Sequence, residues 1–272
     1  LATGLLSATN LPPILGIDSF SGDIYHTGKW PQSPVDFTGK RVAVIGTGSS
    51  GCQAIPLIAE QAEQVTVFQR TANYLIPAHN KPLAPATSRA IKQNYKEFRA
   101  HNKTYPFAFF FEAIDKSALE VSAEERQQAY EEAWGRGGLM FLGTFNDLIT
   151  SEEANLTAQE FFRNKLRAVV KDPLTAEQLM PDFNLGCKRL IVGTDYYESY
   201  NRENVSLVSI KDSGIDEIAS GGIVVGAEQY DCDVIVLATG FDAITGPIMA
   251  IDITGRNGTA IRDKWKDGPS CY

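Results

Sequence analysis

One stretch constrains this chain more than any other. Lys40 to Ile45 (Lys-Arg-Val-Ala-Val-Ile) is a short β-branched run, and Gly46-Thr47-Gly48-Ser49-Ser50-Gly51 follows at once. Such a run reads as a strand buried on both faces in a parallel sheet. Beyond the glycines, Ala54, Ile55, Leu57, Ile58 and Ala59 keep an apolar helical pattern. Gln64-Val65-Thr66-Val67-Phe68 is then a second strand, ending at Gln69-Arg70-Thr71. Strand, glycine turn, helix and strand make one βαβ unit. The expected fold is therefore α/β, a Rossmann-like doubly wound domain built on a parallel sheet.

A G-x-G-x-x-G pattern alone is a weak signal, but here it lies directly between a strand and a helix, where a dinucleotide site requires it. Gly46 permits the tight turn, Gly48 lets the backbone approach a pyrophosphate, and Gly51 lets the helix pack closely. Thr47, Ser49 and Ser50 fill the turn, and the helix N-terminus offers free N–H groups and a positive dipole end to phosphate. A purely structural turn is the alternative. An NAD site usually carries Asp or Glu at the end of the second strand, for the ribose 2′-hydroxyl. This chain has Gln69, Arg70 and Thr71 there. A guanidinium binds a 2′-phosphate through forked, charge-assisted hydrogen bonds, whereas a carboxylate repels it. NADP(H) is the expected cofactor; an exposed arginine with no ligand is the alternative.

The rest of the chain surrounds this unit. From about residue 81 to 175 the sequence is charged and helix-rich, read as a helical insertion whose function, if any, is to cover a cleft. Ser122 with Glu125, and Thr157 with Glu160, have capping-box spacing. Phe161, Phe162, Leu166, Val169 and Val170 keep the spacing of a core-facing helix. Strand signals return at Arg189–Val192 and Val205–Val208, then in a hairpin with Gly221-Gly222 before Ile223-Val224-Val225, and at Cys232–Gly240. Leu1-Ala2-Thr3-Gly4 and Leu237-Ala238-Thr239-Gly240 are the same four residues.

Composition removes several classes of function. The 272 residues are 43% hydrophobic and 21% charged, which is ordinary for a globular protein. A net charge of −8 without a basic patch argues against a nucleic-acid partner. No apolar run approaches the roughly 20 residues that a membrane span needs. The four cysteines (Cys52, Cys187, Cys232 and Cys271) form no C-x-x-C pair, and the three histidines are far apart, so no metal site is expected. Sparse cysteines fit a reducing cytoplasm. Leu1–Gly4 reads as a strand end entering a turn, and Gly268–Tyr272 as a turn toward another strand, so the chain is expected to be an internal fragment.

The most specific stretch is Phe20-Ser21-Gly22-Asp23-Ile24-Tyr25-His26-Thr27-Gly28-Lys29-Trp30-Pro31. Taken by itself, a lone histidine in a loop before the Rossmann strand is more often structural than catalytic. The pattern F-x-G-x-x-x-H-x-x-x-W-P, carried by Phe20, Gly22, His26, Trp30 and Pro31, resembles the fingerprint of Baeyer–Villiger monooxygenases. The glycine turn, Phe68-Gln69-Arg70-Thr71, Gly186-Cys187-Lys188-Arg189 and Ala238-Thr239-Gly240-Phe241-Asp242 are similar to its cyclohexanone-monooxygenase branch, and the resemblance covers essentially the whole chain.

The resemblance implies an FAD- and NADPH-dependent enzyme. NADPH reduces the flavin, dioxygen adds as a C4a-peroxide, and a ketone becomes an ester or lactone. It implies that Lys188 joins Arg70 and Thr71 around the 2′-phosphate, and that Arg189 is the active-site arginine beside flavin and nicotinamide. It also implies that His26 couples domain movement to NADP binding, and that the two Ala-Thr-Gly segments, including Thr239, link FAD and NADP domains. Residues 36–80 and 176–239 are then the NADP-binding domain, with the insertion between them, and 1–35 and 240–272 are parts of an FAD domain. No FAD fingerprint lies in the chain, so these residues alone are expected to be inactive. A disulfide reductase would need a C-x-x-C, and a heteroatom-oxidising monooxygenase is disfavoured by His26 and Trp30-Pro31. In a non-catalytic NADP-binding module Arg189 would have no chemical duty.

Overall fold

The computed structural model describes residues 4–105 and 115–270; Thr3 and Cys271 fall outside them. Its strands are β1 (Asp23–His26), β2 (Arg41–Ile45), β3 (Gln64–Gln69), β4 (Leu75–Pro77), β5 (Ile191–Gly193), β6 (Val205–Ser209), β7 (Glu217–Ala219), β8 (Gly222–Val225), β9 (Glu228–Asp231) and β10 (Val234–Leu237). The longer helices begin with α1 (Ser49–Ala59), α2 (Pro85–Gln93), α3 (Tyr95–Asn102), α4 (Ala123–Arg136) and α5 (Glu152–Val169). The chain divides into two compact units, Leu1–Arg70 with Glu203–Tyr272, and Thr71–Arg202.

In the first unit five strands form a parallel sheet in the order β1-β10-β2-β3-β6. From β2 the chain winds outward through β3 to β6 on one side, whereas β10 and β1 lie on the other. The winding thus reverses between β2 and β10, the switch point of a doubly wound sheet. A sheet buried on both faces needs apolar residues at every position of its inner strands, and Val42, Ala43, Val44 and Ile45 are all buried. Ala43, Ile45, Phe68, Ile235 and Leu237 pack with Ile218 and Ile223 of the antiparallel β7-β8-β9 sheet. The alternate residues Val42, Val44, Val65 and Val67 face the other way, where α1 packs on β2 and β3. One face is thus covered by a helix and the other by a small sheet, and the hairpin at Gly221-Gly222 is its β7–β8 turn.

Two further contacts fix the edges of this sheet. Asp233, just before β10, accepts from the Arg41 backbone N–H at 2.8 Å and from its guanidinium Nη2 at 2.9 Å. The segment before β1 lies on the three-stranded sheet: the Ile218 N–H donates to the Leu15 carbonyl at 2.8 Å, and Ile14, Ile17 and Phe20 pack against its core.

The second unit is helical around an aromatic core. Tyr130 stacks on Phe141 with centroids 5.6 Å apart, and Trp134 meets Phe161 and Phe162 edge-on. Phe161, Phe162, Leu166 and Val170 are buried as the helical spacing requires, with Val169 partly covered. Ser122 caps α4, accepting from the Glu125 N–H at 3.1 Å. Thr157 is not a cap. It lies inside α5, which begins one and a half turns earlier at the Ser151 cap, and its hydroxyl donates to the Ala154 carbonyl at 2.7 Å. The strand read at 189–192 forms over Ile191–Gly193 and pairs in parallel with β4, in register Leu75↔Ile191. It joins this two-stranded sheet and not the five-stranded one, and the Tyr74 ring leading into β4 lies edge-on against Phe162 and Phe183.

Candidate functional site

In an open α/β sheet, ligands bind outside the carboxyl ends of the strands at the switch point. The glycine turn lies there. Gly46 leaves β2 with φ 104°, a left-handed value that favours glycine, and a Cβ on it would sit 2.6 Å from the Ala238 carbonyl oxygen beyond β10. Gly51 is closer still, since its Cβ would lie 2.1 Å from the Gly46 carbonyl oxygen. Gly48 differs: nothing lies within 4 Å of where its Cβ would be. Gly48 is also the N-cap of α1 and supplies no side chain, so the first-turn N–H groups of exposed Ser49 and Ser50 and of Gly51 need another acceptor. Thr47 is buried, and its carbonyl accepts from the Cys52 thiol at 3.3 Å. A turn held shut at two glycines and open at the third fits a pyrophosphate.

Beside the turn, His26 and Thr239 form a relay. The Gly28 N–H donates to His26 Nδ1 at 2.9 Å. Nδ1 is therefore an acceptor, and Nε2 carries the ring proton. Nε2 lies 3.3 Å from Thr239 Oγ1, which donates in turn to the Asn10 carbonyl at 2.6 Å. Both ring nitrogens of a buried histidine are thus committed, tying the end of β1 to the turn after β10 and to residues 9–10.

The other fingerprint residues have physical reasons of their own. A Cβ on Gly22 would lie 2.1 Å from the Asp233 carbonyl oxygen, so only glycine lets the chain enter β1 there. Trp30 packs on Tyr25 and Phe37, with centroids 5.6 and 6.2 Å away, and Pro31 beside it is partly buried. Gly28 and Asn10 were not singled out from the sequence. A Cβ on Gly28 would lie 2.5 Å from the Phe241 ring, a long-range contact that no local pattern encodes.

The cations belong to both units of the chain. Gln69 is buried at the end of β3, and Arg70 after it is exposed, at the carboxyl edge of the sheet. Thr71 begins the second unit, which also holds Lys188 and Arg189. Because β4 and β5 are parallel and Leu75 pairs with Ile191, Thr71 and Lys188 approach the same end of that small sheet. Both cations of the Lys188-Arg189 pair are exposed, and Lys188 Nζ lies 4.4 Å from the centre of the Phe183 ring. Among the described residues no ion pair occupies Arg70, Lys188 or Arg189. No helix is long and apolar enough to cross a membrane, and no cluster of three or more His, Cys, Asp or Glu could hold a metal ion, among the described residues.

Residues 1–95 match the family described as flavin-binding monooxygenase-like. A Baeyer–Villiger monooxygenase of Pseudooceanicola batsensis is 45% identical over 99% of this chain and 50% of its own length. A cyclohexanone 1,2-monooxygenase of Acinetobacter sp. is 44% identical over 100% of this chain and 50% of its length. A phenazine N-monooxygenase of Lysobacter antibioticus is 40% identical over 100% of this chain and 50% of its length. The crystal structure of OTEMO in complex with FAD and NADP superposes with a TM-score of 0.96 at 42% identity, covering 100% of this chain and 52% of that one. The chain spans about half the length of the curated relatives it matches.

Proposed function

We propose that this chain, homologous over its whole length to the Baeyer–Villiger monooxygenases, is the NADP-binding half of an enzyme that oxygenates ketones to esters or lactones. The observation that carries the reading is the glycine turn, open at Gly48 and set at the switch point beside the His26–Thr239 relay. FAD and NADPH, when bound, supply the redox chemistry; the protein positions them and excludes water. Residues 36–80 and 176–239 are the proposed NADP domain, with β1 the edge strand of its sheet, and the remainder of 1–35 with 240–272 the proposed parts of an FAD domain.

Gly48 and the first-turn amides of α1 hold the pyrophosphate, with the positive end of the helix dipole behind them. Arg70 and Thr71 recognise the 2′-phosphate, and Lys188 is a further cation for that group. Arg189 is a permanent cation, suited to stabilise negative charge that develops at the redox centre. The substrates are a small ketone and dioxygen, one oxygen atom entering the ester and the other leaving as water. The proposed compartment is the cytoplasm, where the Cys52, Cys187 and Cys232 thiols would remain reduced.

The test follows NADPH oxidation and product by the full-length enzyme, offered a cyclic ketone or an amine. A lactone from the ketone is expected. An N-oxide or hydroxylamine without lactone would favour heteroatom oxidation, a second reading supported by the phenazine N-monooxygenase among the relatives. Arg189→Ala should abolish lactone formation and leave NADP⁺ affinity within about threefold, since its role lies in the chemical step. Lactone at near wild-type rate would remove Arg189 from the reaction.

A further inference from the structure

The turn that leads into Lys188 and Arg189 is held by side chains from the helical insertion. Asn155, on the buried face of α5, is 3% exposed. Its Nδ2 donates to the carbonyls of Leu148 at 2.6 Å and Leu185 at 2.8 Å. Its Oδ1 accepts from the Leu185 N–H at 3.0 Å and from Gln159 Nε2 at 2.8 Å. Both donors and both lone pairs of one amide are therefore used, and two of the four bonds grip the backbone of a single residue. Gln159, equally buried, also donates to Asn184 Oδ1 at 3.1 Å.

The start of the turn is held from the other side. The Tyr74 hydroxyl donates to the Phe183 carbonyl at 2.8 Å, and the Phe183 ring lies against both Tyr74 and Lys188 Nζ. Burial pushes the Tyr74 phenol up to about 12, so it remains a donor. Gly186, at φ 92°, makes the bend, and the Cys187 N–H closes it on the Asn184 carbonyl at 3.0 Å. Phe183, Asn184 and Leu185 are thus pinned in succession, and two exposed cations emerge directly after the bend. A buried polar network is costly when any member lacks its partner, and fully satisfied it specifies one geometry. Neither Asp nor Leu can replace this amide, because the site needs two donors and an acceptor.

We propose that Asn155 is the positioning residue for Lys188 and Arg189: by gripping both the N–H and the carbonyl of Leu185, it fixes where those cations leave the backbone and, through Lys188, sets how tightly the enzyme holds the 2′-phosphate of NADP. The inference rests on the reading of Lys188 as a cation for that phosphate. It gives the helical insertion a function distinct from covering a cleft.

The experiment measures binding of adenosine 2′,5′-bisphosphate and of 5′-AMP to the full-length enzyme by titration calorimetry, with hydrogen exchange of the Leu185 amide alongside. The two ligands differ only in the 2′-phosphate. Asn155→Asp keeps the shape and the acceptor but loses both donors. It should weaken the bisphosphate about tenfold and 5′-AMP by less than about twofold; the Leu185 carbonyl would face a carboxylate oxygen instead of a donor, which pushes the turn away and speeds exchange at the Leu185 amide. Tyr74→Phe removes one hydroxyl and keeps the ring packing; a loss of about threefold, again confined to the bisphosphate, is expected. Should Asn155→Asp fail to fold, Tyr74→Phe decides. Equal weakening of both ligands, or an unchanged preference despite faster Leu185 exchange, would overturn the proposal. Lys188→Ala separates the two levels. If it lowers the preference while the Asn155 and Tyr74 variants do not, the positioning role alone is wrong. If it leaves the preference intact, the reading of Lys188 fails and this inference with it.

Discussion

Three glycines of identical spelling have three different duties, and only their surroundings in the fold tell them apart. Gly51→Ala would push a methyl group to 2.1 Å from the Gly46 carbonyl oxygen, which neither the helix nor the turn can yield cheaply. Gly48 has φ −78°, allowed to any residue, and an open space where its Cβ would stand. Gly48→Ala should therefore leave the melting temperature within about 2 °C of wild type, a surface-type change. NADP⁺ binding, read by calorimetry, should weaken at least about tenfold, because the methyl group takes the space left for the pyrophosphate. Gly51→Ala should lower both melting temperature and binding. If Gly48→Ala melts early and binds normally, the open face is not where the cofactor lies. At the same scale the fingerprint becomes a set of contacts. Gly22 admits the Asp233 carbonyl and Gly28 the Phe241 ring, while His26 links Gly28 to Thr239.

Between elements, the clasp of Arg41 and Asp233 joins the starts of β2 and β10, so it sets the register of the two strands that flank the switch point. Hydrogen bonds from the Arg41 side chain and backbone lower the Asp233 carboxyl from its ordinary 3.8 to about 2. A carboxyl depressed in the folded state stabilises that state above its unfolded value and stops doing so as pH falls through the folded one. The clasp should therefore be fully effective above about pH 4 and fade toward pH 2. Asp233→Asn is expected to melt below wild type at pH 7, with the gap closing as thermal unfolding is repeated from pH 4 toward pH 3. The pair is more than one-third exposed on both sides, so the gap should be modest and shrink in high salt. A gap that is constant from pH 7 to pH 3 would mean that the carboxylate charge contributes nothing.

For the whole molecule, the chain carries one G-x-G-x-x-G turn, and its curated relatives are about twice as long. A polypeptide of these 272 residues is accordingly expected to bind NADP⁺ and to purify without flavin. An absorbance spectrum and an NADP⁺ titration check this; a yellow preparation would show that these residues hold FAD by themselves.

The sequence by itself determined the βαβ unit, because β-branched runs, a glycine turn and a 3.6-residue apolar period are local properties of neighbouring residues. Through that unit it placed Gly46–Gly51 and Arg70 at strand ends, and through capping-box spacing it placed Ser122 at the head of α4. It could not place Thr157, since a capping pattern also occurs by chance within a helix and the true start was decided at Ser151. Tertiary structure alone decided what the strand after Arg189 pairs with, which face of the sheet the hairpin covers, and what Asn155 holds. Those outcomes depend on residues far apart in the chain, such as Tyr74 with Phe183 and Asn155 with Leu185, and a pairing between distant segments leaves no periodicity in either of them.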